Sequence, residues 1–227
     1  NADGAEGTVA IGYQAGANMT DPQDTGEVST FVGYQSGAAN TIGSANTALG
    51  YQALLTNVAG GRNTAIGFQS LKVSTAGSAA DHFNTAVGYK SGLALTSGTH
   101  NVFIGGRAGI GTQLVDKTVI IGAEAGEGVM DADADGTIAI GYNAGTAITS
   151  GEHNTAIGFE SLLVATDANG CTALGKSTLK SVNKSGNSLC TAVGFQAGTA
   201  VTDGVNNSMY GCDSGVALTE GDDNTLL

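Results

Sequence analysis

Apolar residues come in adjacent pairs along this chain, and each pair is closed by a glycine. The closing glycines are Gly12, Gly33, Gly50, Gly67, Gly88, Gly105, Gly122, Gly141, Gly158, Gly175, Gly194 and Gly211. The residue before each glycine is large and apolar: Ile11, Val32, Leu49, Ile66, Val87, Ile104, Ile121, Ile140, Ile157, Leu174, Val193 and Tyr210. The residue before that is apolar too: Ala10, Phe31, Ala48, Ala65, Ala86, Phe103, Ile120, Ala139, Ala156, Ala173, Ala192 and Met209. Short apolar runs between turn residues predict strands. Neighbouring strand residues point to opposite faces. Apolar residues at both positions therefore predict a strand buried on both sides, one face lining the repeat's own core and the other meeting a second packed layer.

The columns around this strand are equally regular. An aromatic ring usually follows the glycine, as in Tyr13, Tyr34, Tyr51, Phe68, Tyr89, Tyr142, Phe159 and Phe195. Three positions after the glycine the residue is small in almost every copy, which predicts close backbone approach. The glycine itself predicts a corner with an unusual φ. Asn precedes the strand at Asn46, Asn63, Asn84, Asn101, Asn154 and Asn207. Asn caps turns, and stacked copies can form a hydrogen-bonded ladder. These are the requirements of a solenoid whose rungs pack only on their neighbours.

The glycine spacing carries a second period. Successive intervals are 21, 17, 17, 21, 17, 17, 19, 17, 17, 19 and 17 residues, so every third one is long. Two explanations compete. A block of three repeats was duplicated, or three repeats make one turn about an axis. The first gives twelve stacked strands, roughly 58 Å long at about 4.8 Å each. The second gives a squat array of roughly 19 Å at the same spacing.

Composition narrows the functional classes. Glycine numbers 37 of 227 residues, against roughly 16 at an average usage of about 7%. The absence of a Gly-X-Y period excludes collagen. The formal net charge is −12, with 20 acidic and 8 scattered basic residues, so nucleic acid is not an expected partner. No apolar run approaches the roughly 18 residues of a membrane span, and no membrane insertion is expected. Asn1 is not an initiator Met, and Asn224-Thr-Leu-Leu227 opens a thirteenth copy. Residues 1–227 are expected to be one continuous array cut from a longer fibre.

The pattern in Asn63-Thr-Ala-Ile-Gly-Phe-Gln-Ser70 and its other copies resembles the head repeats of trimeric autotransporter adhesins, and is similar also to repeats of phage tail fibres. The resemblance covers essentially the whole chain. It implies a left-handed parallel β-roll with one coil per repeat, association of three chains, and surface adhesion. The column two residues before the glycine would then suit the trimer interface. The spacing of 17 to 21 residues is longer than that family's usual coil. The expected fold is all-β: a repetitive parallel β-solenoid or β-roll of about twelve rungs, trimeric. The alternative is a single-chain three-sided β-prism with three repeats per layer.

Candidate chemistry lies in the turns. The long intervals place variable loops from Ala17 to Thr30, Val73 to Phe83, Glu127 to Gly136 and Lys180 to Leu189, and loops carry binding more often than rungs do. Asp131-Ala-Asp133-Ala-Asp135-Gly136 opens like a Ca²⁺ loop, with alternating carboxylates and a turn glycine. Asp131, Asp133 and Asp135 are therefore candidate Ca²⁺ ligands, although Tyr142 stands where the closing Glu belongs; no other cofactor is expected. Cys171 and Cys190 share the Asn column of consecutive repeats and could pair if each repeat is one rung. Cys212 lies in the aromatic column, and all three thiols also read as small buried apolar groups. His82, His100 and His153 read as turn residues. Asn18, Asn183 and Asn206 begin glycosylation sequons.

No Ser-His-Asp set, phosphate loop or carboxylate pair stands out, and no enzymatic activity is expected. The expected function is a structural or adhesive extracellular fibre segment, on a virion or a cell surface. Its expected partners are copies of itself, as a homotrimer or end to end, and a host-surface receptor or glycan. The alternative is a solenoid that binds glycan or ice; an ice binder needs a flat exposed Thr array, and the single Thr column adjoins two positions expected to be buried.

Overall fold

A computed structural model describes residues 7–20, 28–75 and 81–227. Asn1 and the middles of the first two long loops lie outside the described residues. Each repeat contributes one strand of three residues: Val9–Ile11 (β1), Thr30–Val32 (β2), Thr47–Leu49 (β3), Thr64–Ile66 (β4), Thr85–Val87 (β5), Val102–Ile104 (β6), Val119–Ile121 (β7), Ile138–Ile140 (β8), Thr155–Ile157 (β9), Thr172–Leu174 (β11), Thr191–Val193 (β13) and Ser208–Tyr210 (β14). Thr225–Leu226 (β15) starts the next rung. The short strands Ala168–Asn169 (β10) and Gly186–Asn187 (β12) lie outside this series.

Each rung strand pairs in parallel with that of the next repeat, column on column: Thr47 on Thr64, Ala48 on Ala65, Leu49 on Ile66. The result is a thirteen-stranded parallel sheet with strands in chain order. The protein is thus a β-solenoid of about twelve turns, one repeat per rung. The three-repeat prism is set aside, because a repeat bonds to its immediate neighbour and not to the third one along.

The glycine column sets the corner. All twelve have φ between +119° and +141°, a region that L side chains rarely occupy. A Cβ on Gly50 would fall closer than 3.0 Å to the carbonyl oxygen of Gly67. That approach is repeated along the stack, so the corners form a spine with no room for a side chain.

The strand is not buried on both sides. The middle residue points inward: Phe31, Ala48, Ala65, Ala86, Phe103, Ile120 and Met209 are fully buried. The residue before the glycine points outward, with Leu49 47% and Leu174 45% exposed. A three-residue strand on a single coil has one interior face, and among the described residues no second layer covers the other. The column two before the glycine therefore forms the solenoid's own core, and cannot also be a surface for another chain.

The core is filled by a compensation between two columns. Leu54, Leu71, Leu162 and Leu179, four residues after the glycine, are buried with φ between +46° and +54°. Their rungs have Ala48, Ala65, Ala156 and Ala173 at the strand centre. Rungs with a large centre (Phe31, Phe103, Ile120, Met209) have Gly37, Gly109, Gly126 and Gly215 instead. A Cβ on any of these glycines would collide with that large side chain. Gly92 and Gly198 share rungs with Ala86 and Ala192, and the space is taken by neighbours: Leu71 and Phe103 in one case, Leu179 and Met209 in the other.

The Asn column also points inward. The Asn46 amide oxygen accepts from the backbone N–H of Asn63 at 2.9 Å, and its amide nitrogen donates to the carbonyl of Gly60 at 2.8 Å. Asn84 repeats both bonds, to Asn101 N–H and the Gly98 carbonyl. These side chains satisfy backbone groups that the short strands leave unpaired.

Candidate functional site

The outward face is one continuous surface. Beside the apolar column stands the aromatic column. Tyr13, Tyr34, Tyr51, Phe68 and Tyr89 stack with ring centroids 5.0–5.4 Å apart. The ladder stops where Gly106 and Ala123 replace the ring, and resumes with Tyr142 and Phe159 at 5.4 Å. The Lys176 ammonium then lies 5.5 Å from the Phe159 ring centre and 5.6 Å from that of Phe195, a cation–π step in place of a ring. Alongside runs a glutamine ladder. Gln35, Gln52 and Gln69 each donate to the preceding Gln at 2.8–3.0 Å. Both ladders follow from register: identical residues one rung apart must stack.

The loop side is different in character. The described long loops keep register with the 17-residue rungs between them. Asp131 N–H donates to the Thr149 carbonyl, and Gly186 N–H to that of Asp167. The structure does not gather the three aspartates into a cage. Asp131 accepts from Asp133 N–H at 3.0 Å and caps the short 3₁₀ turn Ala132–Ala134. Asp135 turns to the neighbouring rung and accepts from Asp116 N–H at 2.6 Å. Among the described residues no group of three His, Cys, Asp or Glu is placed to hold a metal ion.

A polar cleft opens on this side, about 360 Å³ in volume. Asp133 stands on one long loop, and Ser185 and Gly186 on the next. Ser150, Glu152, Asp167 and Asn169, from the two rungs between, complete the lining. Pairing of β10 with β12 joins the rung carrying Asp167 and Asn169 to the loop carrying Gly186. No sequence motif marks this cleft, because its groups come from four different repeats.

The cysteines stack in adjacent rungs, since Thr172 pairs with Thr191, but both Cys171 and Cys190 are free and buried. Burial pushes the Cys171 thiol up to about 11 and raises that of Cys190 as well. Cys212 is exposed. His82 is only 3% exposed, and its Nδ1 has no hydrogen-bond partner among the described residues. Burial lowers its pKa, opposed by the nearby Asp81 and Asp116 carboxylates. No helix among the described residues is long and apolar enough to cross a membrane.

No family model, curated protein or solved structure matches this chain.

Proposed function

We propose that the chain is a structural or adhesive segment of an extracellular fibre, of the tail-fibre or surface-adhesin kind, in which three copies associate and long loops are offered to a receptor. The outward face carries this reading. Ile11, Leu49, Ile104, Leu174 and Tyr210 are 38–60% exposed, and Tyr34, Tyr51, Phe68, Tyr89, Tyr142, Phe159 and Phe195 are 41–51% exposed in the adjoining column. Contiguous apolar patches of this kind mark interaction surfaces. Twelve rungs of about 4.8 Å, each about 10 Å wide, present on the order of 600 Å². That is comparable with the roughly 800 Å² per partner of a specific interface. Parallel copies would set apolar column against apolar column at the same spacing, leaving the loop side free.

Ice binding draws less support. The Thr column points outward, but Val102, Val119 and Ile138 interrupt it, and it lies beside a ladder of projecting rings.

Light scattering on the purified chain tests the association. The expected mass is three times 22.3 kDa. Replacing Leu49, Ile66 and Ile157 by Lys, on the outward face, is expected to give a folded monomer. A wild-type monomer at micromolar concentration would refute the association.

A further inference from the structure

The period of three has a spatial consequence on the loop side. Between the 3₁₀ turn Ala132–Ala134 and the loop from Lys180 to Leu189, two 17-residue rungs form a floor. Long loops three rungs apart stand about 14 Å from one another at about 4.8 Å per rung. The polar cleft is the saddle between them. Asp133 stands on one wall, Ser185 and Gly186 on the other, and Ser150, Glu152, Asp167 and Asn169 lie between.

Part of the lining's hydrogen-bonding capacity is committed within the protein and part faces solvent. Asp167 uses its Oδ1 to accept from the hydroxyls of Thr149 and Ser150, at 3.2 and 2.8 Å. Asn169 uses its amide oxygen to accept from Glu152 N–H at 3.1 Å. These bonds fix both side chains and leave the second Asp167 oxygen and the Asn169 amide N–H groups uncommitted. The side chains of Asp133 and Ser185 make no hydrogen bond among the described residues. The cleft therefore offers separated acceptors, on Asp133, Asp167 and Glu152, whose Oε2 also lies 3.5 Å from His153 Nδ1, interleaved with donors from Asn169 and Ser185. Its carboxylates do not converge as a metal site requires. A ligand rich in hydroxyls matches such a lining, because each hydroxyl both donates and accepts. A volume of about 360 Å³ falls at the small end of ligand sites, roughly 300–1,000 Å³.

We propose that this cleft is a carbohydrate subsite for a mono- or disaccharide unit that is neutral or carries an ammonium group. Carboxylated and sulfated sugars are rejected by the three carboxylates and by the overall charge of −12. The subsite deepens the receptor-contact reading of the loop side. It is independent of how many copies associate, so a failure of one leaves the other standing.

The test is a glycan array bearing neutral, amino, sialylated and sulfated oligosaccharides, probed with the 227-residue chain and followed by calorimetry on the strongest ligand. Binding confined to neutral or amino glycans is expected. Asp133→Ala should weaken it at least tenfold, and Ser185→Trp, which fills the saddle, should abolish it. Both positions are exposed, so circular dichroism and melting should stay unchanged. Binding of no glycan, equal binding of sialylated glycans, binding that requires added Ca²⁺, or full binding by both variants would each overturn the assignment.

Discussion

The core's volume compensation can be tested at the second rung. Phe31 is fully buried at the centre of β2, and a Cβ on Gly37 would collide with its ring. Phe31→Ala empties that volume, at a cost of about 3–5 kcal/mol for a large-to-small core change. Gly37→Leu alone costs about 1–3 kcal/mol from overpacking, plus about 1–2 for Leu at positive φ. Independent effects would sum to roughly 5–10 kcal/mol. The double variant instead recreates the pairing of Ala48 with Leu54 one rung on, where Leu54 adopts a φ of 54°. Only the backbone strain should then remain, at about 1–2 kcal/mol. Urea unfolding followed by circular dichroism gives each stability. Hydrogen exchange of the β2 and β3 amides localises the effect, since stacked repeats can open locally. A double variant as unstable as the sum of its parents would refute the compensation.

Other features predict separate outcomes. Gly158→Ala places a Cβ closer than 3.0 Å to the Gly175 carbonyl at a φ of +135° and should cost at least about 3 kcal/mol. Gly106→Ala meets nothing within 4 Å and should stay within about 0.5 kcal/mol of wild type; equal losses in the two melting curves would contradict the glycine spine. Asn84→Ala strands the N–H of Asn101 and the carbonyl of Gly98, for a loss of about 2–4 kcal/mol by denaturant titration; an unchanged midpoint would count against the ladder. His82 has a folded pKa below its ordinary 6.5, so the unfolded chain binds its proton first. Its contribution is complete above that value and lost as pH falls below it. His82→Gln should flatten the decline in stability as pH falls below about 6.5, and an identical slope would exclude His82 as its source. Iodoacetamide at pH 8 should modify Cys212 alone in the folded chain, because Cys171 and Cys190 are buried and Cys212 is exposed, even though its hydrogen bond to Asp213 raises that thiol's pKa too. Equal labelling of all three by mass spectrometry would contradict that burial.

The rung and its corner were legible in the sequence because their causes are local and repeated. A residue that must sit at a φ above +110° at the corner is glycine twelve times over, eleven of them against the next rung's carbonyl, and its spacing counts the rungs. The direction of the apolar columns was not legible. Apolar residues on both sides of a strand look the same whether the second side meets another layer of the chain or is left open. Only the coil shows that Ala48 is inside and Leu49 outside. The pairing of Phe31 with Gly37, and of Ala48 with Leu54, stood in the sequence as well. It acquires meaning once both columns are known to share a rung interior. The triplet spacing could not separate ancestry from geometry, since duplicated blocks and three-repeat turns give the same intervals. The aspartates of residues 131–135 matched the opening of a Ca²⁺ loop, but that match ignores the adjoining rung, to which Asp135 turns. The saddle beside them is assembled from four repeats, so no window of sequence contains it.

Mass per unit length, measured by scanning transmission electron microscopy on unstained particles, tests the fibre reading most directly. Three solenoids side by side predict a rod roughly 58 Å long, at about 4.8 Å per rung, carrying three chains of 22.3 kDa. A rod of that length with the mass of one chain, or a squat particle near 19 Å, would contradict it.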